Sequence, residues 1–331
     1  MPTIAVLGAG SWGTALAVHL ERAGHEVRLW ARDAGFAASL QAEGVNHRYL
    51  PDVVLRSTVR VTSVLDEATS GAAYVVAAVP SHGVRAVFRC AAGALRRDAI
   101  VVSGVKGLEE RTLARMSQAI AEETGGVHPV VVLSGPSFAA EVARGLPTAV
   151  LAASSYAAAA RAVQEDFRGP AFRLYASDDV VGVEIGGALK NVIAIAAGAV
   201  EGLGLGTNAL AALVTRGLAE ISRLATAEGG RRETLAGLGG LGDLVLTCTG
   251  DLSRNRRVGV ELGRGRALAE ILSGMGMVAE GVRTTGAALA LGERHGIELP
   301  IAAQMAAVLE GRASPREAVE ALMIRKQKAE D

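Results

Sequence analysis

Ile4-Ala-Val-Leu7-Gly8-Ala-Gly10-Ser-Trp-Gly13, near the start of the chain, carries the strongest structural signature in this sequence. An apolar strand runs into Gly-x-Gly-x-x-Gly, and a helical stretch (Thr14–Ala23) and a second strand follow within a unit of about 30 residues. The first glycine of such a motif permits a tight turn, the second lets the backbone approach a pyrophosphate, and the third allows close helix–strand packing. Phosphates would then meet the free N–H groups of the helix N-terminus. The motif predicts dinucleotide binding, with a purely structural turn as the alternative.

The end of the second strand bears on the choice of dinucleotide. It reads Arg28-Leu-Trp-Ala31-Arg32-Asp33. Sites that select NAD place an acid here to bind the ribose 2′-OH, whereas a nearby Arg accommodates the 2′-phosphate of NADP. Ala31 occupies the strand tip and Arg32 follows it, so we predict that NADP(H) is preferred and that NAD(H) remains possible. Asp33 is a candidate cap for the next helix, and a solvated Arg32 without a ligand is the alternative.

The chain as a whole predicts two domains, because 331 residues exceed the usual size of a single core. In the first half, short β-rich runs alternate with Ala-rich helical stretches, which is typical of a parallel sheet covered by helices. We predict strands at Ile4–Leu7, Val27–Trp30, Val59–Thr62, Tyr74–Ala78, Ile100–Ser103, Val130–Leu133, Thr148–Ala152 and Phe172–Leu174. From about Val180 only helical patterns follow. We therefore expect an α/β, Rossmann-like N-terminal domain with a mostly parallel sheet (residues 1–178) and an all-α C-terminal domain (residues 179–331).

Composition excludes several classes of protein. The 34 basic and 34 acidic residues cancel, so no overall field attracts nucleic acid or an anionic membrane. Cys90 and Cys248 are too few for a disulfide framework, and the six His residues lack metal-ligand spacing. No run approaches the roughly 18 apolar residues of a membrane span, and the N-terminus lacks a basic secretory n-region. We expect a cytoplasmic protein that neither inserts into a membrane nor binds nucleic acid or a metal.

Lys190 is the most informative side chain of the second half. It lies in Glu184-Ile-Gly-Gly-Ala-Leu-Lys190-Asn191-Val-Ile, where apolar residues recur at helical spacing. A buried ammonium costs free energy unless it has partners, and burial readily moves the pKa of Lys. Lys190 is therefore a candidate proton donor or acceptor. The alternatives are an ion pair with Glu184 and a side chain that reaches water.

Three turns that follow predicted strands should lie at one edge of the sheet. They are Val79-Pro-Ser-His82, Gly104-Val-Lys106-Gly107 and Ser134-Gly-Pro-Ser137-Phe-Ala139. The carboxyl ends of parallel strands share an edge, and ligands bind there. We therefore expect Lys106 to lie at the same edge as the Gly8–Gly13 loop. Ser137 either presents a hydroxyl to this edge or caps the next helix.

Three motifs of the helical half are also candidates. Gly237-Leu-Gly-Gly-Leu-Gly242-Asp243 places four glycines before one acid, which suggests a close backbone approach. Ser253-Arg-Asn-Arg-Arg257, at a probable helix start, would suit a phosphate, whereas a solvated charged face is the alternative. Val278-Ala-Glu280-Gly-Val-Arg283 opens a further helix, in which Glu280 and Arg283 could simply pair.

In this order the motifs resemble those of one family, the bacterial NAD(P)-dependent glycerol-3-phosphate dehydrogenases. The resemblance extends from Ile4 to about Pro300. It rests on the Gly8–Gly13 loop, Val105-Lys-Gly107, Gly135-Pro-Ser-Phe-Ala139, Lys190-Asn191, Gly240-Leu-Gly-Asp243, Ser253-Arg-Asn255 and Val278-Ala-Glu-Gly281.

The resemblance implies roles for individual residues. The dinucleotide would be contacted by the glycine loop and by residues from both domains: Gly8, Gly10, Ser11, Trp12, Gly13, Arg32, Tyr49, Lys106, Ala139, Arg254, Val278 and Glu280. The substrate would be held by Lys106, Gly135, Ser137, Lys190, Asp243, Ser253, Arg254 and Asn255. Lys190 would be the proton acceptor or donor.

The implied reaction is the reversible reduction of dihydroxyacetone phosphate, a phosphorylated triose, to sn-glycerol 3-phosphate for glycerophospholipid synthesis. Lys106 would stabilise the developing oxyanion and, as a like charge, favour neutral Lys190. The helical domain is expected to bind substrate and to form a homodimer interface. Two other functions stay open: a dehydrogenase acting on a 3-hydroxy acid or a ketopantoate-like carboxylate, and a redox sensor that binds NADP(H) without reacting.

Overall fold

Strands and helices alternate through the N-terminal half of the chain. The computed structural model describes residues 1–276 and 279–326. The strands are β1 (Thr3–Leu7), β2 (Glu26–Trp30), β3 (Val45–Asn46), β4 (Leu50–Val54), β5 (Arg60–Thr62), β6 (Tyr74–Ala77), β7 (Ile100–Ser103), β8 (Val130–Ser134), β9 (Thr148–Ala153) and β10 (Phe172–Ser177). The helices of this half are α1 (Ser11–Arg22), α2 (Ala34–Glu43), α3 (Leu65–Thr69), α4 (Val84–Ala91), α5 (Met116–Glu123), α6 (Ala139–Arg144) and α7 (Ala157–Asp166).

One mostly parallel sheet organises this half. Its strand order is β10-β9-β8-β7-β6-β1-β2-β5. Every neighbouring pair is parallel except β8 with β9, so β9 and β10 run opposite to the rest. All eight predicted strands are present, which confirms the expected α/β fold. The short antiparallel pair β3–β4 was not predicted, because Pro51 and a run of polar residues interrupt any strand pattern there.

The glycine loop folds as its motif predicts. Gly8 has φ +116°, and a Cβ on it would lie 2.8 Å from the Ala78 carbonyl oxygen. A Cβ on Gly13 would lie 1.8 Å from the Gly8 oxygen, so α1 packs directly on the turn. The helix begins at Ser11 rather than at Thr14, because the Thr14 N–H already donates to the Gly10 oxygen at 2.9 Å. The first turn of α1 therefore lies inside the glycine motif.

Helices make up the C-terminal half, as expected. They are α8 (Val180–Gly202), α9 (Gly206–Ala227), α10 (Arg232–Ala236), α11 (Asp243–Thr249), α12 (Arg254–Gly263), α13 (Leu268–Ser273), α14 (Glu280–Arg294), α15 (Pro300–Leu309) and α16 (Pro315–Met323), with a π-helical turn at Leu238–Gly242. Helices α9, α11, α12 and α14 all pack on α8. Helix α8 is therefore the centre of this half.

Helix α8 is long and apolar enough to cross a membrane by composition alone. However, 89% of its most apolar window is buried inside the molecule, so it is placed like the core helix of a globular domain. Two of its glycines permit this packing. A Cβ on Gly198 would lie 1.9 Å from the Arg256 carbonyl oxygen, and one on Gly186 would lie 2.4 Å from that of Gly239. Backbone thus packs directly on backbone around this helix.

Candidate active site

Lys190 is buried on α8, with 7% of its surface exposed. Its Nζ lies 2.6 Å from Asp243 Oδ1 and 2.8 Å from Thr247 Oγ1. Both simpler alternatives are wrong. The side chain does not reach water, and Glu184 instead accepts from the Ser117 N–H at 2.8 Å and from Arg115 Nη1 at 2.6 Å.

Asp243 joins two lysines across the boundary between the sheet and the helical half, the region that we call the cleft. Its Oδ2 lies 2.7 Å from Lys106 Nζ, which also donates to the Gly135 carbonyl oxygen at 2.9 Å. Lys106 follows β7 at the carboxyl edge of the sheet, whereas Lys190 comes from α8. Because one fully buried carboxylate accepts from both ammonium groups, a net positive charge is held at this point of the cleft.

The electrostatics lower the pKa of Lys190 to about 8. Burial is the largest cause, because desolvation disfavours the ammonium form. Asp243 opposes this effect, and the positive charge of Lys106 adds to it. Lys190 can therefore gain or lose a proton near physiological pH, which an ordinary lysine cannot do readily.

The glycine-rich segment before Asp243 explains how the carboxylate reaches the cleft. Its glycines form the π-helical turn, and a Cβ on Gly240 would lie 2.1 Å from the Leu235 carbonyl oxygen. Asp243 then begins α11 and is completely buried. Thr247, four residues later, donates to the Asp243 carbonyl oxygen at 2.6 Å, which leaves an oxygen lone pair for Lys190. Thr247 was not predicted as a site residue, although its i+4 spacing from Asp243 places both on one helix face.

The predicted phosphate cradle forms the start of α12. Ser253 is the N-cap, and its hydroxyl accepts from the Arg256 N–H at 3.2 Å. Asn255 Nδ2 donates to Asn191 Oδ1 at 2.9 Å, and Asn255 Oδ1 accepts from the Gly281 N–H at 3.0 Å. The amide of Asn255 thus joins α12 to α8 and α14.

Arg254 and Arg256 differ in their surroundings, although they are neighbours in sequence. Arg256 is mostly buried and forms ion pairs with Glu201 and Asp251. Arg254 is partly buried, and within residues 1–276 and 279–326 no hydrogen bond reaches its guanidinium. Burial lowers the pKa of Arg254, and the charge of Glu280 opposes that shift.

The two turns after β8 and β6 make contacts that correct two expectations. Ser137 does not cap α6, because Phe138 is the N-cap residue and the Ser137 hydroxyl donates to the Gly135 oxygen at 2.9 Å. Glu280 does not pair with Arg283. Its carboxylate instead accepts from the Ser81 N–H at 3.0 Å and from the Ser81 hydroxyl at 2.6 Å.

The remaining predicted residues occupy both sides of the cleft. Arg283 pairs with Glu110 at 3.0 Å, Ala139 begins α6, and Gly135 has φ +135° beside β9. Val278 lies outside the described residues.

The glycine loop fits a dinucleotide. A Cβ on Gly10 would meet no atom within 4 Å, so no packing within the fold itself requires a glycine there. Trp12 Nε1 is a buried donor without a hydrogen-bond partner among the described residues. The Ser11 hydroxyl donates to the Tyr49 carbonyl oxygen at 2.7 Å, which connects the loop to the β3–β4 segment.

The tip of β2 presents Arg32 as an exposed side chain. Asp33 caps α2 as predicted, and its Oδ1 accepts from the Phe36 N–H at 2.7 Å. Asp33, the acid that follows this tip, therefore caps the start of α2. These residues fit NADP(H) without excluding NAD(H).

A glycine turn at the carboxyl edge of a mostly parallel sheet, facing a buried lysine from a helical half, defines the class of nucleotide-dependent dehydrogenases. Two family models then match most of the chain: the NAD-dependent glycerol-3-phosphate dehydrogenase N-terminus at residues 3–160 and the corresponding C-terminus at residues 179–320. The chain belongs to the NAD-dependent glycerol-3-phosphate dehydrogenase family.

Individual relatives agree with this assignment. The chain is 57% identical to a glycerol-3-phosphate dehydrogenase [NAD(P)+] of Koribacter versatilis over 274 residues, which cover 82% of this chain and 81% of the relative. It is 54% identical to the enzyme of the same name from Thioalkalivibrio sulfidiphilus over 268 residues, 81% and 80% of the two chains. The crystal structure of glycerol-3-phosphate dehydrogenase from Coxiella burnetii superposes with a TM-score of 0.94 at 42% identity, covering 98% of this chain and 99% of that one.

Proposed function

We propose that this protein catalyses reversible hydride transfer between NAD(P)H and dihydroxyacetone phosphate, giving sn-glycerol 3-phosphate, with Lys190 as the general acid and base. The observation that carries the proposal is the buried Lys190–Asp243–Lys106 arrangement at the carboxyl edge of the sheet. Its phosphorylated triose substrate and its cofactor are those of the family.

The proton chemistry follows from this arrangement. The bound nicotinamide supplies or accepts the hydride. As the ketone is reduced, negative charge develops on its oxygen, and the Lys190 ammonium donates a proton to it. In the reverse direction neutral Lys190 takes the proton of the hydroxyl group. Positioned acids and bases typically contribute about 10²–10⁴-fold to the rate.

Lys106 and Asp243 have supporting roles in this scheme. Lys106 lies within 2.7 Å of the carboxylate that holds Lys190, so its charge would stabilise the developing oxyanion. Asp243 orients the Lys190 amine and offsets the cost of burying it. Thr247 supplies a second fixed contact to the same amine, which restricts the direction in which Lys190 can donate.

The phosphate of the substrate is assigned to the start of α12. Among the described residues, no carboxylate or carbonyl oxygen binds the Arg254 guanidinium, so this cation can receive the phosphate, and the N-terminus of α12 adds backbone N–H groups. The proposed substrate-binding residues are Lys106, Gly135, Ser137, Lys190, Asp243, Ser253, Arg254 and Asn255. Binding energy at this remote phosphate would align the ketone with Lys190.

The dinucleotide is assigned to the sheet edge. Its proposed contacts are Gly8, Gly10, Ser11, Trp12, Gly13, Arg32, Tyr49, Lys106, Ala139, Arg254, Val278 and Glu280. Exposed Arg32 supports a preference for NADP(H) over NAD(H). We assign dinucleotide binding to residues 1–178 and substrate binding and homodimerisation to residues 179–331, in a cytoplasmic enzyme of phospholipid precursor synthesis.

The direct test is the absorbance of the nicotinamide band during turnover. Purified protein is mixed with NADPH and, in parallel reactions, with dihydroxyacetone phosphate, dihydroxyacetone or ketopantoate. The proposal expects oxidation that needs the phosphorylated substrate and that falls at least about 100-fold in Lys190→Ala. Turnover of ketopantoate instead would favour the carboxylate reductase, and cofactor binding without any oxidation would favour the redox sensor.

A further inference from the structure

Ser81 occupies a position of contact between the two halves of the molecule. It follows β6, which pairs with β1 of the glycine loop, and it is 5% exposed. Both its backbone N–H and its hydroxyl donate to the carboxylate of Glu280, at 3.0 and 2.6 Å. Glu280 begins α14 in the helical half. One serine thus engages both oxygens of one carboxylate.

Glu280 and Arg254 belong to adjoining helix starts. Arg254 precedes Asn255, and Glu280 precedes Gly281, whose N–H donates to Asn255 Oδ1 at 3.0 Å. An acid and a base on adjoining helix starts can form an ion pair when their side chains turn toward each other. Yet among the described residues no ion pair and no hydrogen bond reaches the guanidinium of Arg254. The charge of Glu280 still acts on Arg254, since it opposes the lowering of the Arg254 pKa by burial.

We propose that Ser81 is a positioning residue that holds the Glu280 carboxylate away from Arg254 and so keeps the guanidinium open to the phosphate of the substrate. The two hydrogen bonds direct both carboxylate oxygens to the β6 turn. Packing supports this orientation, because a Cβ on Gly107 would lie 2.7 Å from Ser81 Cβ and 3.3 Å from Glu280 Oε2. The inference rests on the proposed assignment of the phosphate to Arg254.

Loss of the Ser81 hydroxyl and loss of the Glu280 charge should change the affinity for phosphate in opposite directions. Without the Ser81 hydroxyl, one carboxylate oxygen loses its donor, and Glu280 can turn to pair with Arg254. A paired guanidinium must exchange its carboxylate for the incoming phosphate, so phosphate affinity falls. Without the charge of Glu280, Arg254 has no competing partner, so phosphate affinity rises.

The experiment compares Ser81→Ala, Glu280→Gln and the double variant at saturating NADPH. Ser81→Ala is expected to raise KM for dihydroxyacetone phosphate roughly tenfold, which equals about 1.4 kcal/mol. It should leave kcat/KM for unphosphorylated dihydroxyacetone unchanged. Adding Glu280→Gln to Ser81→Ala should return KM for dihydroxyacetone phosphate toward the wild-type value, whereas KM for NADPH, to which Glu280 is a proposed contact, is measured separately. Ser103→Ala is the matched control, because Ser103 is buried at the end of neighbouring β7 and its hydroxyl has no partner among the described residues.

Titration with inorganic phosphate in a calorimeter gives a second readout that needs no turnover. Glu280→Gln is expected to bind phosphate more tightly than the wild type does, and this result stands even if Ser81→Ala fails to fold. A double variant no better than Ser81→Ala, an equal loss with dihydroxyacetone, or weaker phosphate binding by Glu280→Gln would overturn the inference. Failure of the wild type to reduce dihydroxyacetone phosphate would instead refute the proposed function, whatever the phosphate titrations show.

Discussion

Lys190 and Asp243 form a buried ion pair, 2.6 Å from Nζ to Oδ1, although they are separated by 53 residues of sequence. The lysine comes from the centre of the longest helix and the aspartate from the end of a glycine-rich turn. Lys106 reaches the other oxygen of the same carboxylate. A single carboxylate therefore holds both lysines to which the proposed mechanism assigns proton transfer and charge stabilisation.

The rate of turnover should depend on pH in opposite senses for the two directions. In the proposed mechanism, reduction needs the Lys190 ammonium, and the pKa of this group is lowered to about 8. The reduction rate should thus be constant well below pH 8 and fall as the pH rises through 8, whereas oxidation of glycerol 3-phosphate should rise over the same interval. Steady-state kcat profiles from pH 6 to about 10 in both directions check this. Profiles that move together in both directions would contradict the assignment.

Asp243→Asn should reduce kcat about 100-fold or more, because the amide neither offsets the two ammonium charges nor fixes Lys190. It should also move the midpoint of the pH profile downward, since the charge of Asp243 raises the pKa of Lys190. The comparison is with Asp251→Asn, an exposed acid that pairs with Arg256 and should behave as the wild type. If Asp243→Asn has the same pH midpoint as the wild type, the charge of Asp243 does not raise the pKa of the group that titrates.

Gly10→Ala and Gly13→Ala should separate cofactor binding from folding. A Cβ on Gly10 meets nothing within 4 Å, whereas one on Gly13 meets the Gly8 oxygen at 1.8 Å. Gly10→Ala should therefore keep its melting temperature within a few degrees and weaken NADPH binding at least about tenfold. Gly13→Ala should lower the free energy of unfolding by about 1–3 kcal/mol. Thermal unfolding and fluorescence titration measure the two effects, and unimpaired NADPH binding by Gly10→Ala would argue against a pyrophosphate at this turn.

Arg32→Ala should lower kcat/KM for NADPH about tenfold or more while changing that for NADH little, because only NADPH carries the 2′-phosphate. Arg97→Ala, an exposed arginine elsewhere on the surface, controls for the loss of one positive charge. Initial rates measured with NADPH and with NADH show whether the loss is specific to NADPH. Equal losses with both cofactors would assign Arg32 a role that does not involve the 2′-phosphate.

The sequence alone predicted most of the fold because local patterns carry it. Eight apolar runs specified the strands of the sheet, and the cap residue Asp33 and the helix start at Ser253 were recognised from residue type and position. The β3–β4 pair was not predicted, because β3 has only two residues and Pro51 interrupts the strand pattern of β4. The predicted start of α1, Thr14, lies three residues after the observed start at Ser11. The glycines of the motif have low helix propensity, so the sequence pattern does not reveal this first turn.

At the site, the partners of the charged side chains were the features that the sequence predicted least well. Proximity in sequence suggested Glu184 for Lys190 and Arg283 for Glu280, yet Glu184 binds Arg115 and Glu280 binds Ser81. Each true partner lies in another element, so only the packing of the sheet against the helices selects it. Ser137 likewise has the right residue type for a cap, but the turn ends one residue later at Phe138.

The reversal of the sheet at β9 has a geometric consequence for Lys190. Because β10 runs opposite to β8, it ends at the edge of the sheet that lies away from the glycine loop. Helix α8 begins at that edge and runs beside β8 toward the glycine-loop edge. Lys190 is the eleventh residue of α8, about 15 Å from its start at 1.5 Å per residue. A five-residue strand such as β8 spans nearly the same distance, about 14 Å from its first residue to its last. The part of α8 that precedes Lys190 is therefore long enough to return the Lys190 amine to the edge of the sheet at which Lys106 lies. One residue inserted before Lys190 would turn the amine by about 100°, away from the carboxylate that holds it.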